Sequence, residues 1–208
     1  MTELHPALKP VRFQRTFCMI KPDGVMRGLV GDITSRIERA GLKIVAMKMI
    51  VPTEEQVRRH LPMSDEEWVA RLGKKTMMGF EDLEATPKEI FGTEDLMALG
   101  QNVVDGIMGY LTSGPVVCMV VEGIESIAMV RKLAGHTLPF KAEAGTIRGD
   151  YSVDSPSIAN TQRRAIHNIL HASENVEEAA NEVKLWFDDN EMHDYLRTSE
   201  GVMYGNYY

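Results

Sequence analysis

Asn168-Ile-Leu-His-Ala-Ser-Glu174 carries a short apolar pair and one histidine, His171, straight into the start of a helix. Beyond Ser173, apolar residues return at Val176, Ala179, Ala180, Val183, Trp186 and Phe187, the period of a helix with one buried face. Ser173 is read as the N-cap of that helix. At about 100° per residue, Glu182 falls on the border of the apolar face, beside Trp186 and away from Glu177 and Lys184. A strand-end imidazole with a carboxylate in reach of one ring nitrogen is how a histidine nucleophile or base is oriented. A lone histidine is more often a satisfied core residue, so this stretch fixes a strand and a helix but no chemistry.

Working outward, Thr16 to Ile20 is a short apolar strand ended by Lys21-Pro-Asp-Gly24, which forces a turn and leaves Lys21 at a strand end. Val30, Ile33, Ile37 and Ala40 have helical spacing, with Gly41 as the stop. Leu42 to Val51 is a second strand, and Thr53-Glu-Glu-Gln56 is a capping box opening a short helix to about His60. Residues 61–112 are polar and helical, with a capping box at Ser64-Asp-Glu-Glu67 and a cap plus proline at Thr86-Pro87. A long helix there has Thr93 as its cap and bears Leu96, Leu99, Val103, Ile107 and Leu111, while Gly100, Gly106 and Gly109 weaken it by about 1 kcal/mol each relative to alanine. This region is read as an inserted helical segment or lid.

Pro115 to Val121 is a continuous apolar strand, and Ile124, Ile127, Ala128, Val130 and Ala134 form a helix closed by Gly135. Without the insertions and the terminal helix, the order is βαββαβ, the ferredoxin-like arrangement of helices packed on a sheet, an α/β (α+β) class. Residues 1–10 read as a tail, order begins near Arg12, and 11–208 form one domain.

The net charge of −7 argues against coating nucleic acid or an anionic membrane, so an anionic ligand must be small. The longest apolar run, Pro115 to Val121, is far short of the ~20 residues that span a bilayer, and the first residues lack a signal-peptide core, so a soluble, cytoplasmic chain is expected. Cys18 and Cys118 sit in apolar strands without disulfide or zinc spacing and read as reduced packing residues.

Between Arg131 and Asp150 lie Arg131, Thr137, Lys141, Thr146 and Arg148 among Gly135, Gly145 and Gly149. Arginine offers a planar fork for phosphate oxygens, threonine a small hydroxyl, and glycine a close backbone approach. No Walker or Rossmann glycine pattern is present, and this loop, His171 and strand-end Lys21 together point to phosphoryl transfer through histidine rather than to a set of unrelated solvated side chains.

Lys21-Pro-Asp-Gly24, Thr112-Ser-Gly-Pro-Val116, Gly145-Thr-Ile-Arg-Gly-Asp150 and Asn168-Ile-Leu-His-Ala-Ser173, in this order, resemble the nucleoside diphosphate kinase family, in a longer form with helical insertions. The resemblance spans about Arg12 to Phe187. It implies a ferredoxin-like fold, a homo-oligomer (hexamer favoured, tetramer possible), and movement of the γ-phosphate of a nucleoside triphosphate, mainly ATP, to diphosphates through a phosphohistidine. By resemblance His171 is the nucleophile, Glu182 holds its other ring nitrogen, and Ser173 supports the pair. The match also puts Arg131, Thr137 and Arg148 on the phosphates, and Lys21 and Asn168 on the ribose hydroxyls and near the transferred group. Mg²⁺ arrives with the nucleotide, with no metal ligand expected from the protein.

Three departures stand out. The family's tyrosine near the phosphates falls on Leu61, and the aromatic that stacks on the base cannot be placed where the insertion begins; Trp68 or Phe80 is expected to replace it. A stretch is added over about 151–167, with Ser155 to Ile166 read as a helix and Arg163 and Arg164 near the site. A kinase that passes the phosphate to protein histidines, and a ferredoxin-like module that only senses nucleotide, are the alternatives; His171, Glu182 and Asn168 together argue against the sensor.

Overall fold

The computed structural model describes residues 13–81 and 83–204, so the tail at 1–10 and the start of order near Arg12 lie outside the described residues. In chain order the elements are β1 (Phe13–Ile20), α1 (Pro22–Met26), α2 (Val30–Arg39), β2 (Lys43–Ile50), α3 (Glu54–His60), α4 (Glu66–Met78), α5 (Pro87–Phe91) and α6 (Leu96–Thr112). There follow β3 (Val116–Ile124), α7 (Ser126–Ala134), α8 (Ile147–Tyr151), α9 (Pro156–Thr161), β4 (Leu170–Ala172), α10 (Val176–Trp186) and α11 (Glu200–Tyr204), with single 3-10 turns at Pro139–Lys141 and Asp189–Glu191. The sheet order is β2-β3-β1-β4, antiparallel throughout, as the βαββαβ reading requires.

Alternate residues of the two central strands feed two separate cores. Phe17, Met19, Val116, Cys118 and Val120 face Val57, Val104, Leu111 and Trp186 of α3, α6 and α10. Cys18, Ile20, Val117, Met119 and Val121 face Ile33, Ile37, Val130 and Ala134 of α2 and α7. Helices therefore cover both faces, which is why β1 and β3 read as unbroken apolar runs rather than alternating ones. Cys18 and Cys118 are free thiols, one in each core. Trp186 is buried, as its place in the helical pattern predicts. Among the described residues no helix is long and apolar enough to cross a membrane.

Several sequence-based assignments shift. Lys21-Pro-Asp-Gly24 is not only a turn: Lys21 is the N-cap residue of the one-turn α1, with Pro22 in the first turn, where its missing N–H costs nothing. The caps read as Ser64 and Thr93 are Asp65, which accepts from the Glu67 and Trp68 N–H groups, and Asp95, which accepts from Ala98 N–H. A carboxylate outcompetes a hydroxyl at a helix N-terminus because it also meets the helix dipole. The helix expected over Ser155 to Ile166 stops at Thr161, and Arg163 takes a left-handed φ of 50°. The loop after Thr137 contains α8, capped by Thr146, whose Oγ1 accepts Gly149 N–H at 3.1 Å and donates to Glu143 O at 2.6 Å.

The two inserted stretches pack on each other. Asn160 Nδ2 donates to Thr76 O at 3.3 Å, and Gly106 lies against Ala165. Phe80 is buried edge-on against Phe91 at 6.1 Å, inside this helical unit.

The glycines of α6 differ in consequence. A Cβ on Gly100 would lie 2.1 Å from Val69 O, and one on Gly73 would lie 1.8 Å from Leu96 O, so α4 and α6 touch backbone to backbone. Gly109 faces open space. Gly100→Ala is expected to destabilise the chain by about 1–3 kcal/mol through overpacking, whereas Gly109→Ala should stabilise it by about 0.5–1 kcal/mol through helix propensity. Urea midpoints moving in the same direction for both would refute this division.

Candidate active site

The site forms where β4 meets the loops after α7 and β1. Ile169 sits just before β4 with φ 67°, an unusual value for a β-branched residue. Leu170 N–H donates to Asn168 O at 2.7 Å across it, a γ-turn. Two hydrogen bonds hold this strained residue: its N–H donates to Asp23 Oδ2 at 3.2 Å, and its carbonyl accepts Lys21 N–H at 2.7 Å; Asp23 is itself fixed by the Tyr110 hydroxyl, which donates to Oδ1 at 2.5 Å. The γ-turn sharply reverses the chain between Asn168 and Leu170, and both of these residues and His171 line one pocket.

That pocket, of about 150 Å³, is lined by Lys21, Arg131, Thr137, Arg148, Asn168 and His171 together with Gly135 and small apolar residues. Six of the seven residues that the resemblance and the sequence offered for nucleotide and phosphoryl group thus meet in one cavity, and Trp68 does not join them. Lys21 Nζ donates to Asn168 Oδ1 at 2.7 Å, and Asn168 Nδ2 donates to Thr137 O at 3.0 Å, which fixes the amide's orientation. Burial and neighbouring Arg148 pull Lys21 down to about 8, against the pull of Asp23. Lys141 lies over the Phe140 ring and Thr146 is a helix cap, so neither lines the pocket.

Arg148 is buried, and donates to Asn168 O at 3.1 Å, Gly135 O at 2.7 Å and Leu170 O at 2.5 Å. Of the five guanidinium N–H groups three are spent on backbone, which leaves two for a ligand. Burial and Arg131 hold its pKa down to about 10, so it stays charged. Arg131 differs: its side chain is 45% exposed, and among the described residues it pairs with exposed Glu174 alone, at 3.8 Å.

His171 Nε2 lies 2.7 Å from Glu182 Oε1. An ionised carboxylate can only accept, so Nε2 carries the proton and Nδ1 is the free nitrogen. Ser173 Oγ is 2.6 Å from Glu182 Oε2 and also accepts Phe17 N–H at 3.3 Å. The N-cap of α10 is therefore Asn175, whose side chain accepts Glu178 N–H, and not Ser173 as the sequence suggested; the serine hydroxyl is occupied by the buried Glu182. Burial pushes Glu182 up, and His60 and Ser173 pull it back.

Burial, reinforced by Lys21, Arg148 and Arg131, pulls His171 from 6.5 to about 3. The imidazole is thus neutral across the physiological range, with a lone pair on Nδ1. Unfolded, it binds a proton near 6.5, so between the two values the unfolded chain holds more protons and stability should fall as pH drops below about 6.5. Nitrogen-15 NMR should show the Nε2–H tautomer of His171 unchanged from pH 8 to pH 5.5; a titration centred near 6.5 would contradict this environment.

Other residues fall elsewhere. Trp68, half-buried against the core, lines a neighbouring open groove of about 630 Å³ with Arg58, Arg59, Leu61, His60 and Glu182. Leu61 packs on the same core, and Phe80, offered as a base platform, is enclosed in the inserted unit. Arg164 is tied to Asp154 at 2.6 Å and Arg163 lies over the Phe91 ring, so neither lines the phosphate pocket. His167 is outside any helix, stacked on Tyr110 at 4.6 Å. The sequence reading missed Asp23, Tyr110 and His60; His60 follows Val57 by one helical turn, and that spacing alone places it on the buried face of α3.

Comparison with known proteins gives one family. The family model described as nucleoside diphosphate kinase matches residues 14–79 and 98–192, leaving 80–97 unmatched between them. A protein named nucleoside diphosphate kinase from Pyrobaculum aerophilum is 44% identical over 179 residues, covering 86% of this chain and 97% of its own length. Another of that name from Borreliella burgdorferi is 39% identical over 187 residues, covering 90% and 95%. The crystal structure of an NDP kinase from Pyrobaculum aerophilum superposes with a TM-score of 0.82 at 41% identity, over 88% of this chain and all of that one. A Borrelia burgdorferi nucleoside-diphosphate kinase with bound vanadate and ADP, a transition-state mimic, superposes with a TM-score of 0.70 at 37% identity, over 91% and 96%. The chain belongs to the nucleoside diphosphate kinase family, enzymes that pass a terminal phosphoryl group from a nucleoside triphosphate to a nucleoside diphosphate.

Proposed function

We propose that the chain transfers the γ-phosphoryl group of a nucleoside triphosphate, mainly ATP, to nucleoside diphosphates by a ping-pong reaction through phosphohistidine 171. The observation that carries this is the 2.7 Å contact of His171 Nε2 with Glu182, which leaves Nδ1 free in a pocket holding Lys21, Arg131 and Arg148. The Nδ1 lone pair forms the N–P bond while the bond from phosphorus to the β,γ-bridging oxygen breaks, and the electron pair leaves on the diphosphate. No proton moves: the ring becomes cationic with Nε2–H in place, and the Glu182 carboxylate offsets that charge. Arg131 and the two remaining Arg148 N–H groups bind phosphate oxygens, with Thr137 beside them. Lys21 and Asn168 serve the ribose hydroxyls and the transferred group. The diphosphate departs, a second one enters, and the steps reverse.

Magnesium is implied by the chemistry. The pocket lining has three cationic side chains and no carboxylate, which suits an ion held by phosphate oxygens and water rather than by the protein. His60, His171 and Glu182 do bring possible ligand atoms within 4.8 Å of one another, but Glu182 Oε1 already accepts His171 Nε2–H, and His60 Nδ1 accepts the Trp186 indole N–H. When bound with the nucleotide, the ion neutralises charge on the phosphate chain.

None of these contacts reads a base edge, so broad base tolerance goes with this reading. Trp68 remains the candidate platform, for a base that leaves the pocket across His60. In a Trp186→Phe background ADP should quench Trp68 fluorescence, and no spectral change would assign the groove to assembly or stability. A homo-oligomer, hexamer before tetramer, and a cytoplasmic location complete the proposal; sedimentation of the purified chain as a monomer would remove the first. The activity itself is tested by loading the enzyme from labelled ATP, isolating it, and adding unlabelled GDP. Acid-labile, base-stable label should move to GTP, and enzyme that never becomes labelled would overturn the reading.

A further inference from the structure

We propose that Tyr110 and Asp23 are positioning residues for phosphoryl transfer, which together hold the turn at Ile169 and so fix the spacing between the His171 nucleophile and the Asn168 and Arg148 groups that bind its phosphoryl donor; this rests on the reading of His171 as the phosphoryl carrier.

The γ-turn divides the site in two. Downstream of it, Leu170 and His171 are paired with Ile20 and Met19 of β1, and His171 Nε2 is held by Glu182 at 2.7 Å. Upstream, Asn168 is tied to Lys21 Nζ and to the Thr137 carbonyl, and its own carbonyl accepts Arg148 Nε–H at 3.1 Å. The nucleophile and the donor-binding groups therefore belong to different halves, and the conformation of Ile169 sets how far apart they stand. A φ of 67° is one that a β-branched residue keeps only where its surroundings impose it. Relaxation to an extended conformation would take the Asn168 carbonyl off Leu170 N–H and move Asn168 relative to His171.

The restraint comes from outside the turn. Ile169 is fully buried, and a Cβ on Gly24 would lie 3.1 Å from its Cγ2, so α1 packs directly on its side chain. Asp23, in the first turn of α1, offers one carboxylate oxygen to Ile169 N–H at 3.2 Å and the other to the Tyr110 hydroxyl at 2.5 Å. With a donor on each oxygen the carboxylate cannot swing, and Ile169 N–H meets a fixed acceptor. Burial and Asp23 hold the Tyr110 hydroxyl far above its ordinary value, so the proton stays on tyrosine. Tyr110 is itself set by the inserted segments: its ring stacks on His167 at 4.6 Å, and α6 touches α4 at Gly100 and Ala165 at Gly106. Neither Tyr110 nor Asp23 lines the phosphate pocket, so both act through Ile169.

The test uses Tyr110→Phe, which keeps the ring, its stack on His167 and its contact with Lys21 Nζ at 5.6 Å, and removes only the hydroxyl. Phosphorylation of His171 is followed in single turnovers from two donors. ATP binds across both halves of the site, whereas phosphoramidate, whose P–N bond breaks to release ammonia, has no ribose or diphosphate to anchor beside Asn168. Misplacing a reacting group by about 1 Å can cost about 10²-fold. Tyr110→Phe is expected to slow phosphorylation from ATP about tenfold or more, with ATP affinity within threefold and the phosphoramidate rate within twofold. Asp23→Asn, whose amide can accept Ile169 N–H and donate to the Tyr110 oxygen, should stay within threefold of wild type with both donors. A Tyr110→Phe enzyme whose ATP rate is within threefold of wild type, or that slows equally with both donors, would overturn the proposal, as would a folded Asp23→Asn enzyme as slow as Tyr110→Phe. If Tyr110→Phe does not fold, Asp23→Ser, whose hydroxyl is too short to bridge the two partners, takes its place in the same comparison with Asp23→Asn. Wild-type enzyme that is phosphorylated at His171 by neither donor would instead remove the functional reading beneath it.

Discussion

Phosphoryl transfer by a His171→Ala chain is expected to vanish, with turnover at least ~10⁴-fold below that of the parent, because the substitution removes the atom that forms the covalent bond. The chain should still fold. Alanine at 171 leaves Glu182 with the Ser173 hydroxyl at 2.6 Å, so the buried carboxylate is not stranded. The strand keeps its backbone pairing, since Met19 opposite His171 and Cys18 opposite Ala172 hold β4 to β1 without the imidazole. Steady-state turnover and a thermal melt on the same preparation check both halves. Residual turnover within tenfold of the parent would mean that the phosphoryl group is not carried by His171.

The two arginines should part company. Arg131→Ala is expected to lower catalytic efficiency by about 10²-fold or more, as a charge-assisted donor to a reacting phosphate contributes about 3 kcal/mol. Its melting temperature should barely move, because its side chain is 45% exposed and pairs only loosely with Glu174. Arg148, which the resemblance likewise puts on the phosphates, is held quite differently. Arg148→Ala would leave the carbonyls of Gly135, Asn168 and Leu170 without the guanidinium that joins them, so it should lose stability as well as activity. Equal melting temperatures for the two variants would contradict this assignment of Arg148.

What the sequence discloses here follows from periodicity. Val116 to Ile124 is buried along nearly its whole length, and β1 from Thr16 onward likewise, so both appear as apolar runs that only a strand fits. Glu182 at the margin of an amphipathic helix is legible in the same way, since about 100° per residue decides which way it points. Interactions between distant residues are not legible. Ser173 and Asn175 are both good caps; which one caps is decided by Glu182 taking the serine hydroxyl, nine residues along the chain and on another element. Asp23 looks like an ordinary turn residue, yet it joins Tyr110, far along the chain, to the strained Ile169. The γ-turn leaves no mark in composition, because isoleucine is among the residues least suited to it. Gly100 reads as a weakness of α6 until α4 is laid against it. Trp68 and Phe80 look alike along the chain, and only packing separates the enclosed ring from the one that lines a groove.

The claim on which the rest depends is that the phosphoryl group resides on Nδ1 of His171, the nitrogen opposite Glu182. Enzyme with nitrogen-15 histidine, loaded from ATP and kept at alkaline pH, should show a single phosphorus-31 resonance coupled to Nδ1 of His171, with the Nε2 proton retained. Coupling to Nε2, or to a nitrogen of His60 or His167, would contradict it.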